Sequence, residues 1–304
     1  MNNNNNNNTY IKLSTYNVCS SHFFKYNKCS NKINNDERII NLVKDLLTIP
    51  GIICLQEVCL KIYKEILKQS IDKIINYYNY NNNCSMGICI IYDRYLYKQI
   101  NICGFKPGDN IPYPKNEIQY TFFDSVKYYL KKDPHLEYQK QIKGIIKLKN
   151  RSNIVMMIEL IDLKTNKKFI ICNTHVPCLF KEPYLQKIFI DTTIITIKKI
   201  MNFNNTFTPV ILCGDFNMDN ISDLYNEVIN DNSLCDISKN IEYTINCETD
   251  SNGKFKGKID HIFSLNIKPL EIINKMEFMD NDNIMPNDNC HSDHGAITSF
   301  FNLD

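Results

Sequence analysis

The chain has 304 residues, and 35 Lys and Arg residues against 33 Asp and Glu residues leave a formal charge of +2. This balance excludes the strong positive field of a protein that wraps nucleic acid, although a local basic groove remains compatible with it. The 13 cysteines include no C-x-x-C pair, so a structural zinc site is not expected.

The N-terminal region predicts a tail followed by one domain. Asn2–Asn8 is an asparagine run that cannot bury enough apolar surface to order itself, so residues 1–9 are predicted to be disordered. No internal linker is visible, and residues 10–304 are predicted to form a single domain. No window suits a signal peptide or a transmembrane segment, so we expect an intracellular protein of the cytoplasm or nucleus.

Apolar runs bounded by turn signals predict buried strands. They cover Tyr10–Val18, Gly51–Leu55, Met86–Tyr92, Ile154–Ile161, Lys168–Val176, Pro209–Cys213, Ile259–Phe263 and Ala296–Phe301. Helical periodicity is typical of Asp36–Leu47, Leu60–Ile75, Pro183–Ile200 and Ile221–Ile229. The densest basic stretch, Lys140–Arg151, is predicted to be a solvated strand face. Runs that are apolar on both faces predict a layered α/β domain with covered sheets.

Polar side chains recur at the ends of the predicted strands. They are Asn17, Glu57, Asn173-Thr174-His175, Asp215 with Asn217, and Asp260, while Asp293 and His294 come just before the last strand. Strand ends gather at sheet edges, so these residues are expected to meet in one cleft. Carboxylates that hold a cation and aim water, beside imidazole donors, indicate metal-assisted phosphate-ester chemistry.

Each of these residues also has a structural interpretation. Glu57 is equally consistent with a turn carboxylate, and His175 with a hydrogen-bonded core histidine. Asp215-Phe216-Asn217 suits an extended segment with its carboxylate and amide on one face, although an Asx-type turn is the alternative. Asp260 suits a carboxylate that orients His294. His261 and His291 are interpreted as neighbours of the site, and tyrosines 77, 78 and 80 as core residues rather than base-stacking ones.

Six short motifs, in chain order, resemble the signatures of the endonuclease/exonuclease/phosphatase superfamily. They are Tyr16-Asn17-Val18, Leu55-Gln56-Glu57-Val58, Asn173-Thr174-His175, Gly214-Asp215-Phe216-Asn217, Ile259-Asp260-His261 and Ser292-Asp293-His294. The resemblance covers nearly the whole chain. It implies a four-layer α/β sandwich in which two central mixed β-sheets are flanked by helices.

The resemblance also implies a role for each matching residue. Glu57 binds Mg²⁺, or Mn²⁺ in its place, with Asn17 close to the metal and Asp293 as a further carboxylate on the metal side. Asp215 orients or deprotonates the attacking water, and Asn217 helps to position it. The set is completed by two phosphate donors, His294 and His175, and by Asp260, which holds the His294 ring.

The substrate class is left open among three alternatives. A phosphodiesterase that acts on nucleic acid is the leading hypothesis, as a nuclease, a deadenylase-like enzyme or a DNA-end-processing enzyme. A sphingomyelinase-like lipid phosphodiesterase is the second, because Lys143-Gly144 before the Ile145-Ile146 run is similar to a pair in those enzymes and makes Lys143 a substrate-binding residue. The third is an inactive scaffold.

Overall fold

The protein is described here by a computed structural model, which covers residues 10–80, 86–112, 134–203, 208–249, 253–267, 269–280 and 283–302. The predicted tail over residues 1–9 lies outside this range. The strands are β1 Ile11–Asn17, β2 Ile52–Cys59, β3 Lys73–Asn79, β4 Met86–Asp93, β5 Tyr97–Phe105, β6 Val155–Asp162, β7 Lys168–His175, β8 Val210–Asp215, β9 Cys235–Asp236, β10 Ile245–Thr249, β11 Gly253–Gly257, β12 Asp260–Ser264, β13 Leu270–Glu277 and β14 Ala296–Asn302. The helices are α1 Ser21–Phe24, α2 Asn35–Thr48, α3 Leu60–Gln69, α4 Pro107–Asn110, α5 Pro134–Lys149, α6 Pro183–Phe203 and α7 Asp223–Asn232.

Two six-stranded mixed sheets form the centre of the molecule. The first has the order β13-β14-β1-β2-β4-β3, and the second has the order β5-β6-β7-β8-β12-β9. Apolar side chains from both sheets fill the space between them, including Leu13 and Ile90 from the first and Ile171 and Ile211 from the second. Helices α2 and α3 cover the outer face of the first sheet, and helices α5, α6 and α7 cover the second. The predicted four-layer α/β sandwich is confirmed.

Most predicted elements form, with three differences. The helix predicted over Leu60–Ile75 ends at Gln69, and Lys73–Asn79 forms an edge strand paired with β4. The helix predicted from Asp36 begins at Asn35, and Asn34 caps it, because the Asn34 side chain accepts hydrogen bonds from the backbone N–H groups of the first turn. Lys140–Arg151 was wrongly predicted as a strand face, since most of it lies in helix α5, with Leu148 buried against the second sheet.

A two-stranded hairpin, β10 and β11, stands outside both sheets. Isolated bridges join it to the loops around the strand ends, through Asn27 with Thr249 and Ile245 with His294. Within the described residues, no helix is long and apolar enough to cross a bilayer.

Candidate active site

The sheet topology brings most of the predicted polar residues to one edge of the sandwich. β1 runs parallel to β2 and β7 runs parallel to β8, so Asn17, Glu57, His175 and Asp215 meet near their carboxyl ends. Asp260 was expected at a strand's carboxyl end but begins β12. Because β12 is antiparallel to β8, Asp260 pairs directly with Asp215 and still reaches the same edge.

Asn17 links the two sheets within this cluster. Its Nδ2 donates to Glu57 Oε1 at 3.1 Å and to Asp215 Oδ2 at 2.9 Å. The backbone N–H of Cys19 donates to Asn17 Oδ1 at 3.0 Å, which supports this orientation of the amide. In this orientation Asn17 holds the two carboxylates together by donating to both of them.

Glu57 occupies an unusual backbone position. Its φ of 59° is left-handed, and the pairing of β2 with β4 shifts register between Leu55 and Val58. A non-glycine residue in this region costs about 1–3 kcal/mol, and such strain is concentrated at functional sites. The bulge turns the Glu57 carboxylate toward Ser20, whose backbone N–H donates to Oε2 at 3.0 Å.

The Asp215-Phe216-Asn217 segment at the end of β8 has features of both an extended segment and an Asx-type turn. Asn217 has a left-handed φ of 49°, so the expected fully extended segment is wrong at this residue. Its backbone N–H donates to Asp215 Oδ1 at 2.8 Å, which is the Asx-type turn, and Phe216 is buried between the two polar residues. The Asn217 side-chain Nδ2 donates to the Val176 carbonyl at 2.9 Å. Gly214 is required because a Cβ there would lie 1.9 Å from the Thr174 carbonyl oxygen.

His294 and Asp260 form a tight buried pair. The distance from His294 Nδ1 to Asp260 Oδ2 is 2.7 Å, and the Thr244 hydroxyl donates to the same oxygen at 2.6 Å. Burial alone lowers the pKa of His294, but the charge and hydrogen bond of Asp260, helped by Asp293 and Asp215, raise it to about 10. The imidazolium Nε2 lies 4.0 Å from Asp215 Oδ2. His294 is therefore a charged donor aimed at the carboxylate cluster.

His175 provides a second imidazole beside the same oxygen of Asp215. Its Nε2 lies 3.6 Å from Asp215 Oδ2, and its Nδ1 is 3.0 Å from the Tyr80 hydroxyl. Burial lowers the pKa of His175, although Glu57 opposes that effect. Tyr80, which was interpreted as a core residue, is buried as expected but also contacts the site.

Burial and crowding disfavour the charged forms of the carboxylates. Burial raises the pKa of Glu57, while burial together with the charge of Asp260 raises the pKa of Asp215 to about 7. Asp215, Asp260 and His294 offer ligand atoms within 4.8 Å of one another. His294 and Thr244 contact Asp260 Oδ2, whereas the buried Asp260 Oδ1 accepts no hydrogen bond from the part of the chain that the structure describes. A divalent cation suits the carboxylate oxygens of this cluster and would offset the repulsion between them, whereas a protonated His294 has no nitrogen lone pair to offer a metal.

Two predicted residues lie at the margin or outside this cluster. Asp293 is half-buried and accepts hydrogen bonds from Asn27 at 3.4 Å and from the Ser292 hydroxyl at 3.4 Å. Lys143 is exposed within helix α5, so the expectation that it precedes a strand is wrong. The strand prediction failed because Ile145 lies on the buried face of a helix. Gly144, on the same helix, allows close contact with Leu185.

Arg38 was missed from the sequence because its role depends on the tertiary structure. This buried guanidinium donates to the carbonyl oxygens of Cys19 at 2.9 Å and His291 at 2.6 Å, and more weakly to that of Val18. It thus fastens together the loop after β1 and the loop before β14. A buried arginine in an amphipathic helix gives no signal of its partners. Of the two histidines interpreted as neighbours of the site, His261 Nδ1 lies 3.7 Å from Asp236 Oδ2 and His291 Nε2 lies 3.4 Å from Asp45 Oδ2.

Comparisons with known proteins agree with this architecture. No protein-family model matches the chain. A protein described as an endonuclease/exonuclease/phosphatase family protein from Bacteroides thetaiotaomicron superposes with a TM-score of 0.65 at 15% identity, over 97% of this chain and 96% of that one. A TDP2 from D. rerio, in complex with a single-strand DNA product, gives a TM-score of 0.61 at 14% identity, over 97% of this chain and 100% of that one.

The fold is the one that endonuclease/exonuclease/phosphatase family proteins have, and the resemblance predicted from the six motifs is confirmed. Among curated proteins, the chain is similar to the CCR4-Not complex 3'-5'-exoribonuclease subunit Ccr4 of Kluyveromyces lactis. The two are 26% identical over 236 residues, which is 71% of this chain and 28% of that protein. The chain thus matches less than a third of the length of its curated relative.

Proposed function

We propose that the chain is a divalent-metal-dependent phosphodiesterase that hydrolyses nucleic acid. The observation that carries the proposal is the pair of buried carboxylates, Glu57 and Asp215, joined by Asn17 and faced by two imidazoles. The similarity to an exoribonuclease supports RNA as the substrate. A bound Mg²⁺ or Mn²⁺ would supply Lewis acidity at the phosphoryl oxygens.

In this proposal Asp215 orients the attacking water and accepts its proton. Its pKa of about 7 suits a general base near neutral pH. The Asn217 backbone N–H donates to Asp215 Oδ1 and Asn17 Nδ2 donates to Asp215 Oδ2, so these two hydrogen bonds fix the orientation of the carboxylate. Glu57 would hold the cation, because its strained backbone and the Ser20 N–H aim the carboxylate into the cluster. Asp293 would add a further carboxylate on the same side.

The two histidines would stabilise the negative charge that accumulates on phosphorus. His294 stays protonated through its bond to Asp260, so its Nε2 is a cationic donor throughout the neutral range. His175 would act as a neutral donor from Nε2 when the Tyr80 hydroxyl donates to Nδ1. Together the two histidines would stabilise this negative charge without an arginine at the reacting phosphate.

The test is hydrolysis by the wild-type protein and by Asp215→Asn, with Mg²⁺ or with EDTA. The substrates are single-stranded RNA, single- and double-stranded DNA, a 5′-tyrosyl DNA end, sphingomyelin vesicles and bis(p-nitrophenyl) phosphate. Asp45→Asn is the matched control, since Asp45 lies 3.4 Å from His291 outside the cluster. We expect Mg²⁺-dependent cleavage of nucleic acid that Asp215→Asn lowers by about 10²–10⁴-fold, the usual contribution of a positioned acid or base. Cleavage of sphingomyelin alone, or of no substrate, would contradict the proposal.

A further inference from the structure

An exposed aromatic and basic surface lies beside the catalytic edge. It consists of His22, Phe23, Lys25 and Tyr26, and we call it the α1 surface. Phe23 is 39% exposed and Tyr26 is 51% exposed. The His22 ring packs edge-on against Phe23 at 5.2 Å and against Tyr26 at 6.0 Å, measured between ring centroids. Three rings therefore stand together in solvent rather than in the core.

The surface is positioned by the same residues that build the site. Ser20, whose N–H donates to Glu57, immediately precedes α1, and Asn27, which donates to Asp293, follows Tyr26. Phe23 follows Ser20 by three residues and Tyr26 directly precedes Asn27, so the two aromatic residues lie in the short segment between these contacts. Phe24 is buried beneath the Arg38 guanidinium, 4.3 Å from its ring centroid, and this contact turns its neighbours outward.

The charge of this segment complements a polyanion. The chain has no Asp or Glu before Asp36, whereas Lys25, Lys28 and Lys32 follow α1 closely. The Lys25 ammonium lies over the Tyr26 ring at 4.9 Å, which keeps a mobile cation beside an aromatic face. Lys28 pairs with Glu248 of the β10–β11 hairpin and anchors the segment against it. The small net charge of the whole chain thus conceals a local basic segment.

We propose that the α1 surface stacks the bases of single-stranded nucleic acid beside the scissile phosphate, with Lys25 pairing a backbone phosphate. This inference rests on the proposed function and names a substrate form for it. Stacking on an aromatic face tolerates every base, and single strands expose the faces that a duplex conceals. A membrane surface fits less well, because Phe23 is the one wholly apolar ring and is only 39% exposed.

The test compares wild type with Phe23→Ala/Tyr26→Ala on a single-stranded oligonucleotide and on bis(p-nitrophenyl) phosphate. We expect KM for the oligonucleotide to rise by about tenfold, the loss typical of one removed base stack, with kcat nearly unchanged. Hydrolysis of the small diester should not change. Phe23→Leu/Tyr26→Leu keeps apolar contact but removes the aromatic faces, so it should resemble the alanine variant. Equal thermal midpoints would establish that the variants are folded.

Tyr95→Ala is the matched control. Tyr95 is a 68% exposed tyrosine in the turn between β4 and β5, beside Lys12 and Gly51 at the opposite edge of the first sheet. Its removal should leave KM unchanged. Fluorescence anisotropy of a labelled oligonucleotide in EDTA tests binding without turnover, so loss of catalysis and loss of stacking are distinguishable. Unchanged oligonucleotide affinity in the double variant would refute the inference, as would wild-type binding to phosphatidylserine vesicles that the double variant loses.

Discussion

Asp260→Asn should shift the alkaline limb of the pH–rate profile to lower pH. Asp260 bonds to His294 Nδ1 at 2.7 Å and is the first of the groups that raise the histidine pKa to about 10 against the effect of burial. An amide keeps the shape and can still accept from Thr244. It removes the negative charge, so the pKa of His294 falls, with only Asp293 and Asp215 left to oppose the effect of burial.

The size of the effect follows from the protonated fraction of His294. With a pKa of about 10, about 99% of the imidazole is protonated at pH 8. At an ordinary histidine pKa of about 6.5 the fraction at pH 8 is roughly 3%, which is a loss of about 30-fold. Turnover at pH 8 should fall by about that factor, and the loss should be smaller at pH 6.

The assay is Mg²⁺-dependent hydrolysis of an oligonucleotide between pH 5.5 and pH 10. Asp45→Asn is again the control, because it removes a carboxylate from another histidine, His291, and should leave the profile unchanged. An Asp260→Asn enzyme with the wild-type alkaline limb would refute the role of Asp260 as the group that keeps His294 protonated.

Other predictions concern stability. Folding raises the pKa of Asp215 to about 7, so in EDTA its protonated carboxyl contributes stability that is fully present below pH ~4. That contribution is lost as the pH rises through 7, when the buried carboxyl ionises. Asp215→Asn removes the ionisation and should therefore raise Tm most near pH 8. Arg38→Ala should lower the free energy of unfolding by about 2–4 kcal/mol in urea titrations and lower kcat, because buried carbonyls lose a charged donor; a variant within 0.5 kcal/mol of wild type would contradict this. Gly214→Ala should abolish soluble expression, since its Cβ meets the Thr174 carbonyl at 1.9 Å. Gly253 also has a positive φ, 70° against 145° at Gly214, but a Cβ there would meet open space, so Gly253→Ala should cost only about 1 kcal/mol.

The sequence by itself determined the layered α/β class and the positions of most strands. Periodicity reveals these because apolar runs such as β7 and β8 are buried on both faces. The sequence also identified the polar residues at strand ends, because an unpaired carboxylate next to a buried strand is energetically costly and therefore uncommon outside functional sites. Periodicity failed over Lys140–Arg151, where a short apolar pair fits a helix face as well as a strand.

Only the tertiary structure decided which residues meet and how they are held. The antiparallel pairing of β12 with β8 places Asp260 against Asp215, and the bulge in β2 aims Glu57. The bond between Tyr80 and His175 joins residues from opposite sheets, so no local pattern indicates it. Side-chain chemistry is readable from a sequence because it is local, whereas hydrogen-bond partners and pKa shifts depend on distances that exist only after the sheets have packed.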